Sequence, residues 1–273
     1  MSRFFIEVAY QGTHYSGFQI QQNANSIQQE VEKALKIFFR KKIVLTGASR
    51  TDAGVHALQN YFHFDFENLY TELETSKVLS TAEHGSAGTD GDLSEVAIAS
   101  VYNLNAILPP DIVIKKISPV KETAHCRFDA IEREYKYFIY QKKDPFLRDR
   151  GFYYPYKFDL EKLQEAAGIV LMNKDFSAFS KRNTQVKNFI CSIFKSEWKI
   201  ENEILIYHVV ANRFLRGMVR GLVGTMLRVG TSKISLQQFA KIIEKKDAAS
   251  ADFSVPAHAL FLTRINYPAE IIT

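Results

Sequence analysis

The sequence predicts an α+β fold made of two similar modules, and three observations carry that prediction. Strand-like runs flank an amphipathic helical stretch in the first half, and the same strand–helix–strand order recurs in the second. The 273 residues leave room for one large domain or two smaller ones with a sizeable core. An apolar fraction of 46% with 24% charged residues belongs to a soluble globular protein. No apolar run approaches the roughly 18 residues of a membrane span. Met1-Ser2-Arg3-Phe4 leads directly into strand-like alternation, with no signal peptide expected.

In chain order, Arg3–Tyr10 reads as the first strand, and a loop follows with Gly12 and Gly17 on either side of Tyr15. Ser26–Arg40 is an amphipathic helix whose stripe is Ile27, Val31, Leu35 and Phe38, with Ser26 and Gln29 in a capping-box pattern. Ile43–Leu45 reads as a buried strand. Tyr61–Phe66 reads as another, with Phe62, Phe64 and Phe66 on one face. The segment 70–93 is acidic and rich in Ser, Thr and Gly, and Ala82–Asp92 reads as a flexible loop. Ser94–Asn105 resumes a helical pattern, Ile112–Ile117 a strand, and Pro119–Glu122 reads as a hinge between halves 1–120 and 121–273.

The second half opens with expected strands at Cys126–Ile131 and Glu134–Gln141. A helix at Asp159–Met172 and strands at Phe189–Ile200 and Ile204–Ala211 follow. Arg213–Val229 reads as a long helix with Leu215, Met218, Leu222, Val223 and Met226 inward. A short capped helix, Ser235–Lys246, and a last strand, Leu260–Tyr267, complete the chain.

Charge is unevenly spread. From Asp65 to Glu95 there are eight acidic residues against one lysine, so the rest of the chain carries +12 within an overall +5. Basic residues gather at Arg133–Arg150 and Lys181–Arg228, among aromatics, which favours a nucleic acid over a plain solvated face. The two cysteines, Cys126 and Cys191, are far apart and read as reduced residues of a cytoplasmic protein. The seven histidines show no metal-ligand spacing with them, and no Walker or G-x-G-x-x-G loop is present. No metal and no cofactor is implied.

The stretch with the most chemistry is Gly47–His56, G-A-S-R-T-D-A-G-V-H, between two expected strands. Its glycines allow a turn that holds Arg50, Thr51 and Asp52 at a fixed point. Asp52 is a candidate nucleophile or general base, and equally a candidate to cap its own turn.

Arg50-Thr51-Asp52-Ala53-Gly54-Val55-His56-Ala57 resembles the signature of the TruA family of tRNA pseudouridine synthases, G-x-G-R-T-D-A-G-V-H-A. Ser49 stands where the family has glycine, and serine is small enough for the turn to survive. Three later stretches resemble the family too: A-H-C-R-F-D-A-I-E-R-E-Y-K-Y ending at Tyr137, A-N-R-F-L-R-G-M-V-R-G-L-V-G from Ala211, and P-A-H-A-L-F-L-T-R-I-N-Y-P, where Ala259 replaces a glycine.

The resemblance implies two ferredoxin-like (RRM-like) subdomains with joined antiparallel sheets and an active-site cleft. It implies isomerisation of uridine to pseudouridine at positions 38 to 40 of the tRNA anticodon stem-loop, by a homodimer without cofactor. Asp52 would be the catalytic aspartate, Tyr135 the tyrosine stacking on the base, Arg220 the arginine paired with Asp52, and Leu260 the apolar wall of the pocket. Arg50 would enter the RNA stem. Arg216, one helical turn before Arg220, is a phosphate contact or a solvated residue. Taken alone, Tyr135 reads as a cross-strand packing residue. The rival reading is an RNA-binding protein that kept the scaffold without the chemistry, but Asp52, Tyr135 and Arg220 are all present. A metal-dependent nuclease would need clustered carboxylates or histidines.

Overall fold

A computed structural model describes residues 1–67, 93–181 and 186–271. The acidic segment expected to be a flexible loop lies, apart from Leu93, outside the described residues. The chain divides into two compact units. One comprises Met1–Thr51, Ala57–Ala130 and Tyr267–Thr273, the other Asp52–His56 and Ile131–Asn266. The chain therefore stays with the first unit for eight residues beyond Glu122, the end of the expected hinge. Pro119 is absorbed into an edge strand, where its missing N–H costs no ladder bond. Asp52 itself belongs to the second unit.

In the first unit, β1 (Ser2–Tyr10) pairs antiparallel with both β3 (His56–Phe66) and β4 (Ile112–Val120). A two-residue strand, β2 (Thr46–Gly47), pairs with the far side of β3. The aromatic alternation explains the order: Phe4, Ile6, Phe62 and Phe64 are buried, and the Phe18 ring stacks on Phe62 at 4.5 Å between centroids. Each such side chain contributes about 1.5–3 kcal/mol relative to exposure.

Helix α1 (Ile27–Phe39) starts where Ser26 Oγ accepts the Gln29 N–H at 3.3 Å, and it stops at Arg40, which is left-handed at φ 53°. Its buried stripe is Ile27, Val31, Leu35 and Phe39. Phe38 is only half-buried and meets Phe39 edge to face. Helix α2 (Leu93–Ile107) packs against α1 and β4.

Two expected strands of this unit are not strands. Ile43–Leu45 leaves the sheet because side chains of α1 take its backbone groups: Glu32 Oε1 accepts the Leu45 N–H at 3.0 Å, and Gln28 Nε2 donates to the Leu45 carbonyl at 2.8 Å. Cys126–Ile131 opens instead with a turn. The His125 carbonyl accepts the N–H groups of Phe128 and Asp129, while Asp129 Oδ2 accepts the His125 N–H at 2.7 Å.

The second unit has an antiparallel sheet in the order β9 (Leu260–Asn266), β5 (Glu132–Tyr140), β8 (Ile204–Ala211), β7 (Ile193–Glu201), and β6 (Phe152–Tyr153) runs parallel to β5. Along β5, Tyr135, Tyr137 and Ile139 are buried as the alternation requires. Asn202 and Glu203, both at positive φ, make the tight β7–β8 hairpin. Three helices complete the unit: α3 (Leu160–Met172), capped by Asp159; α4 (Met218–Gly230); and α5 (Leu236–Glu244), which carries a full capping box between Ser235 and Gln238.

Helix α4 begins five residues later than the amphipathic pattern suggested. Gly217 takes the left-handed conformation at φ 74°, and a single turn precedes the helix in which Met218 N–H reaches the Leu215 carbonyl. The consequence is functional, because Arg216 is not on the helix that carries Arg220.

Candidate active site

The aspartate loop is built from the turn outward. The Val55 N–H donates to the Asp52 carbonyl at 3.2 Å, and Gly54 sits at φ +79°, a conformation that L side chains rarely adopt. A Cβ on Gly54 would lie 3.3 Å from the Ala257 methyl, so the turn is seated on the segment that precedes β9. Val55 is buried beneath it. His56 completes the anchor: its Nε2–H donates to the Asp149 carbonyl at 2.9 Å and its ring stacks on Phe261 at 4.5 Å. Burial lowers the His56 pKa below the ordinary histidine value, so the ring serves as a neutral wedge at pH 7.

On the first-unit side of the loop, Ser49 fills the position where a glycine was the family expectation. Ser49 is buried, and both its backbone groups are held by the Asn60 amide, at 3.3 and 2.9 Å. The Thr51 hydroxyl bonds the buried Tyr10 hydroxyl at 2.8 Å. The backbone on both sides of Asp52 is therefore fixed, while the carboxylate stays partly exposed at 22%.

The cation beside that carboxylate is Arg216. Its Nε lies 3.8 Å from Asp52 Oδ1, beyond hydrogen-bond length but within ion-pair range. Arg216 is 58% exposed, and its backbone carbonyl accepts the Lys181 N–H at 3.0 Å. Arg220, which the resemblance paired with Asp52, makes its side-chain hydrogen bonds to backbone carbonyls. Arg220 donates from Nε to the Val255 carbonyl (2.9 Å) and from Nη2 to the Phe253 carbonyl (3.2 Å).

Arg220 is one of several clamps on the stretch 250–256. Arg228 Nη1 donates to the Ser250 carbonyl at 3.0 Å, and Thr225 Oγ1 accepts the Asp252 N–H at 2.9 Å. The Tyr137 hydroxyl donates to the Pro256 carbonyl at 2.8 Å, with burial raising its pKa far above the usual tyrosine value. This strap runs into a single 3-10 turn, Ala257–Ala259, and then into Leu260, buried at the head of β9. Ala257 of that turn is what Gly54 rests on. Tyr135 is buried opposite Leu262 and Val209, and the Phe214 ring meets it edge to face at 5.0 Å. Arg50 is exposed and lines a groove in the first unit with His125, Arg127 and Phe128.

An aspartate at the tip of a rigid turn, flanked by a guanidinium, inside this signature loop is one half of the identification. The other is similarity along the chain. Residues 6–129 and 173–268 match the family described as tRNA pseudouridine synthase. The chain belongs to that family. A Bacteroides fragilis protein named tRNA pseudouridine synthase A is 43% identical over 272 residues, covering 99% of this chain and 98% of the relative. Proteins of the same name from Azobacteroides pseudotrichonymphae and Staphylococcus saprophyticus are 41% and 33% identical, covering 98% and 99% of this chain and 98% and 93% of their own.

Within this synthase, sequence reasoning missed the Arg216–Asp52 pair and the edge-to-face contact of Phe214 with Tyr135. The first had a signal in Gly217, a residue poorly suited to a helix interior. The second had none, because Phe214 is separated from Tyr135 by most of a unit's sequence. Among the described residues, no helix is long and apolar enough to cross a membrane.

Proposed function

We propose that this chain isomerises uridine to pseudouridine in the anticodon stem-loop of tRNA, at positions 38 to 40, with Asp52 as the catalytic residue. The observation that carries the reading is the Asp52 carboxylate, fixed by its turn, open on one edge, and neighboured by Arg216 at 3.8 Å. Asp52 breaks the glycosidic bond by attack at C1′ or by removal of the C2′ proton, and either route needs a carboxylate presented on an unencumbered edge. The freed uracil turns and bonds through C5. As C5 bonds to C1′, the Asp52 carboxylate leaves C1′ or returns the proton to C2′; the C5 proton leaves and N1 gains one, so atoms balance without a co-reactant.

Tyr135 and the side chain of Leu260 supply the apolar support for an extruded base. Arg50 displaces the uridine from the stem. Arg216, exposed and charged, orients the carboxylate and meets the phosphate backbone. A homodimer acting on cytoplasmic tRNA belongs to the same reading.

The test is release of tritium from tRNA carrying 5-tritiated uridine. We expect release by the native protein and none by Asp52→Ala, with tRNA binding retained by both. Binding without release by either protein would favour a binding module on the same scaffold. Release by both would mean that another residue does the chemistry.

A further inference from the structure

The first unit gathers three metal-ligating side chains that uridine isomerisation has no use for. His63 on β3 and the adjacent His125 and Cys126 offer ligand atoms that all lie within 4.8 Å of one another. Two of the seven histidines, far apart in sequence, therefore meet in space. His63 Nδ1 stands 3.1 Å from Cys126 Sγ, and the two imidazole rings meet at 4.6 Å between centroids. We propose that His63, His125 and Cys126 form a binding site for one borderline transition-metal ion of the Zn2+ type.

The donor set selects the ion. Two imidazoles and a thiolate are the ligands of zinc and of its soft neighbours, and not of magnesium or calcium, which take oxygen. Three protein ligands leave a fourth position for water. The surroundings suit ligation. The lone pair of His63 Nδ1 already faces the cysteine, since it accepts the Cys126 N–H at 3.3 Å.

The N–H groups of Arg127 and Phe128 lie 3.1 and 3.4 Å from Nδ1 of His125, so ligation through Nε2 moves the ring proton to Nδ1 and gives up these two contacts. The Cys126 thiol now donates to the Thr46 carbonyl at 3.1 Å. Metal binding replaces that thiol proton, which leaves to solvent, and forms the metal–sulfur bond.

Charge does not forbid the ion. Arg3 acts on both rings, but Asp65 holds its guanidinium bidentately at 2.7 and 2.8 Å. Asp129 adds a second carboxylate beside the rings. Access exists too, because His125, Thr46 and Gly47 line the groove of about 260 Å³ that holds Arg50 and Arg127. The bound ion would staple the turn after Ala124 to β3, acting on stability and not on the isomerisation step.

The test uses the full chain stripped with a chelator and titrated with Co2+, whose thiolate charge-transfer band in the near ultraviolet reports sulfur ligation. We expect one equivalent bound and the band displaced by Zn2+. It should be lost in Cys126→Ala, kept in Cys191→Ser, and in His125→Gln it should need about 10–100-fold more metal. Zn2+ should raise the melting temperature of the native chain and leave that of Cys126→Ala unchanged. If Cys126→Ala fails to fold, His125→Gln, a half-exposed position, decides alone. No band in the native chain, a band that survives Cys126→Ala, or unchanged affinity in His125→Gln would overturn the site and leave a thiol–imidazole hydrogen bond.

Discussion

Two arginines four residues apart, Arg216 and Arg220, do different work, and the difference is measurable. Arg216 is exposed, its guanidinium holds no hydrogen bond among the described residues, and it faces Asp52 across 3.8 Å. A surface ion pair of this kind adds little to stability, on the order of 0–1 kcal/mol. In a water-excluded complex with RNA the same charge is worth more. Arg216→Gln should therefore lower kcat/KM for tritium release by about tenfold or more while moving stability within roughly 0.5 kcal/mol. Arg220→Gln removes two donors from the carbonyls of Phe253 and Val255, so it should show first as a lowered melting temperature. Equal activity losses at unchanged stability would mean that Arg220 reaches the substrate directly.

The element that sets the site is the strap 250–256 lying on α4. Gly224 makes the close approach possible: a Cβ there would stand 2.3 Å from the Asp252 carbonyl oxygen. That atom belongs to a backbone clamped by Arg228, Thr225 and Arg220, so it cannot simply rotate away. Gly224→Ala should destabilise by about 1–3 kcal/mol, the usual range for overpacking. For a chain of this size that is a fall of roughly 2–4 °C per kcal/mol in a thermal melt. Because the strap leads to Ala257 beneath Gly54, activity should fall further than the melt accounts for at working temperature. An unshifted melt would show that the strap yields.

This element also marks where sequence reasoning stopped. The alternation of Phe62 and Phe64, the stripe of α1 and the capping of α5 by Ser235 were legible because each rests on local periodicity or a local bond. The strap was not legible, since 250–256 has no period and its partners are on α4 and β5. Ile43–Leu45 and Cys126–Ile131 misled for the same reason. Their apolar content suggested strands, while side chains of Glu32, Gln28 and Asp129 claimed the backbone groups a strand would need. Asp52 stood out in the sequence through its motif; its nearness to Arg216 did not, because Arg216 precedes the left-handed Gly217 at which the helix starts.

At the scale of the whole molecule the governing quantity is charge. Eight acidic residues between Asp65 and Glu95 leave +12 on the remaining chain. Binding to tRNA should thus weaken steeply with salt, because each phosphate contact releases condensed counterions. The groove of the first unit is the place to test this. Exposed Arg50 lines it beside Arg127, whose guanidinium lies 5.7 Å from the centroid of the exposed Phe128 ring. A cation over an exposed aromatic face suits a phosphate and a stacked base together. If both arginines meet phosphates, replacing the pair by Gln should lessen the slope of log K against log salt by about 1.4–1.8, at roughly 0.7–0.9 per contact. Filter binding of unmodified tRNA across a salt series reads that slope directly. A weaker affinity with an unchanged slope would instead assign both side chains to bases, and an unchanged affinity would move the RNA off this groove altogether.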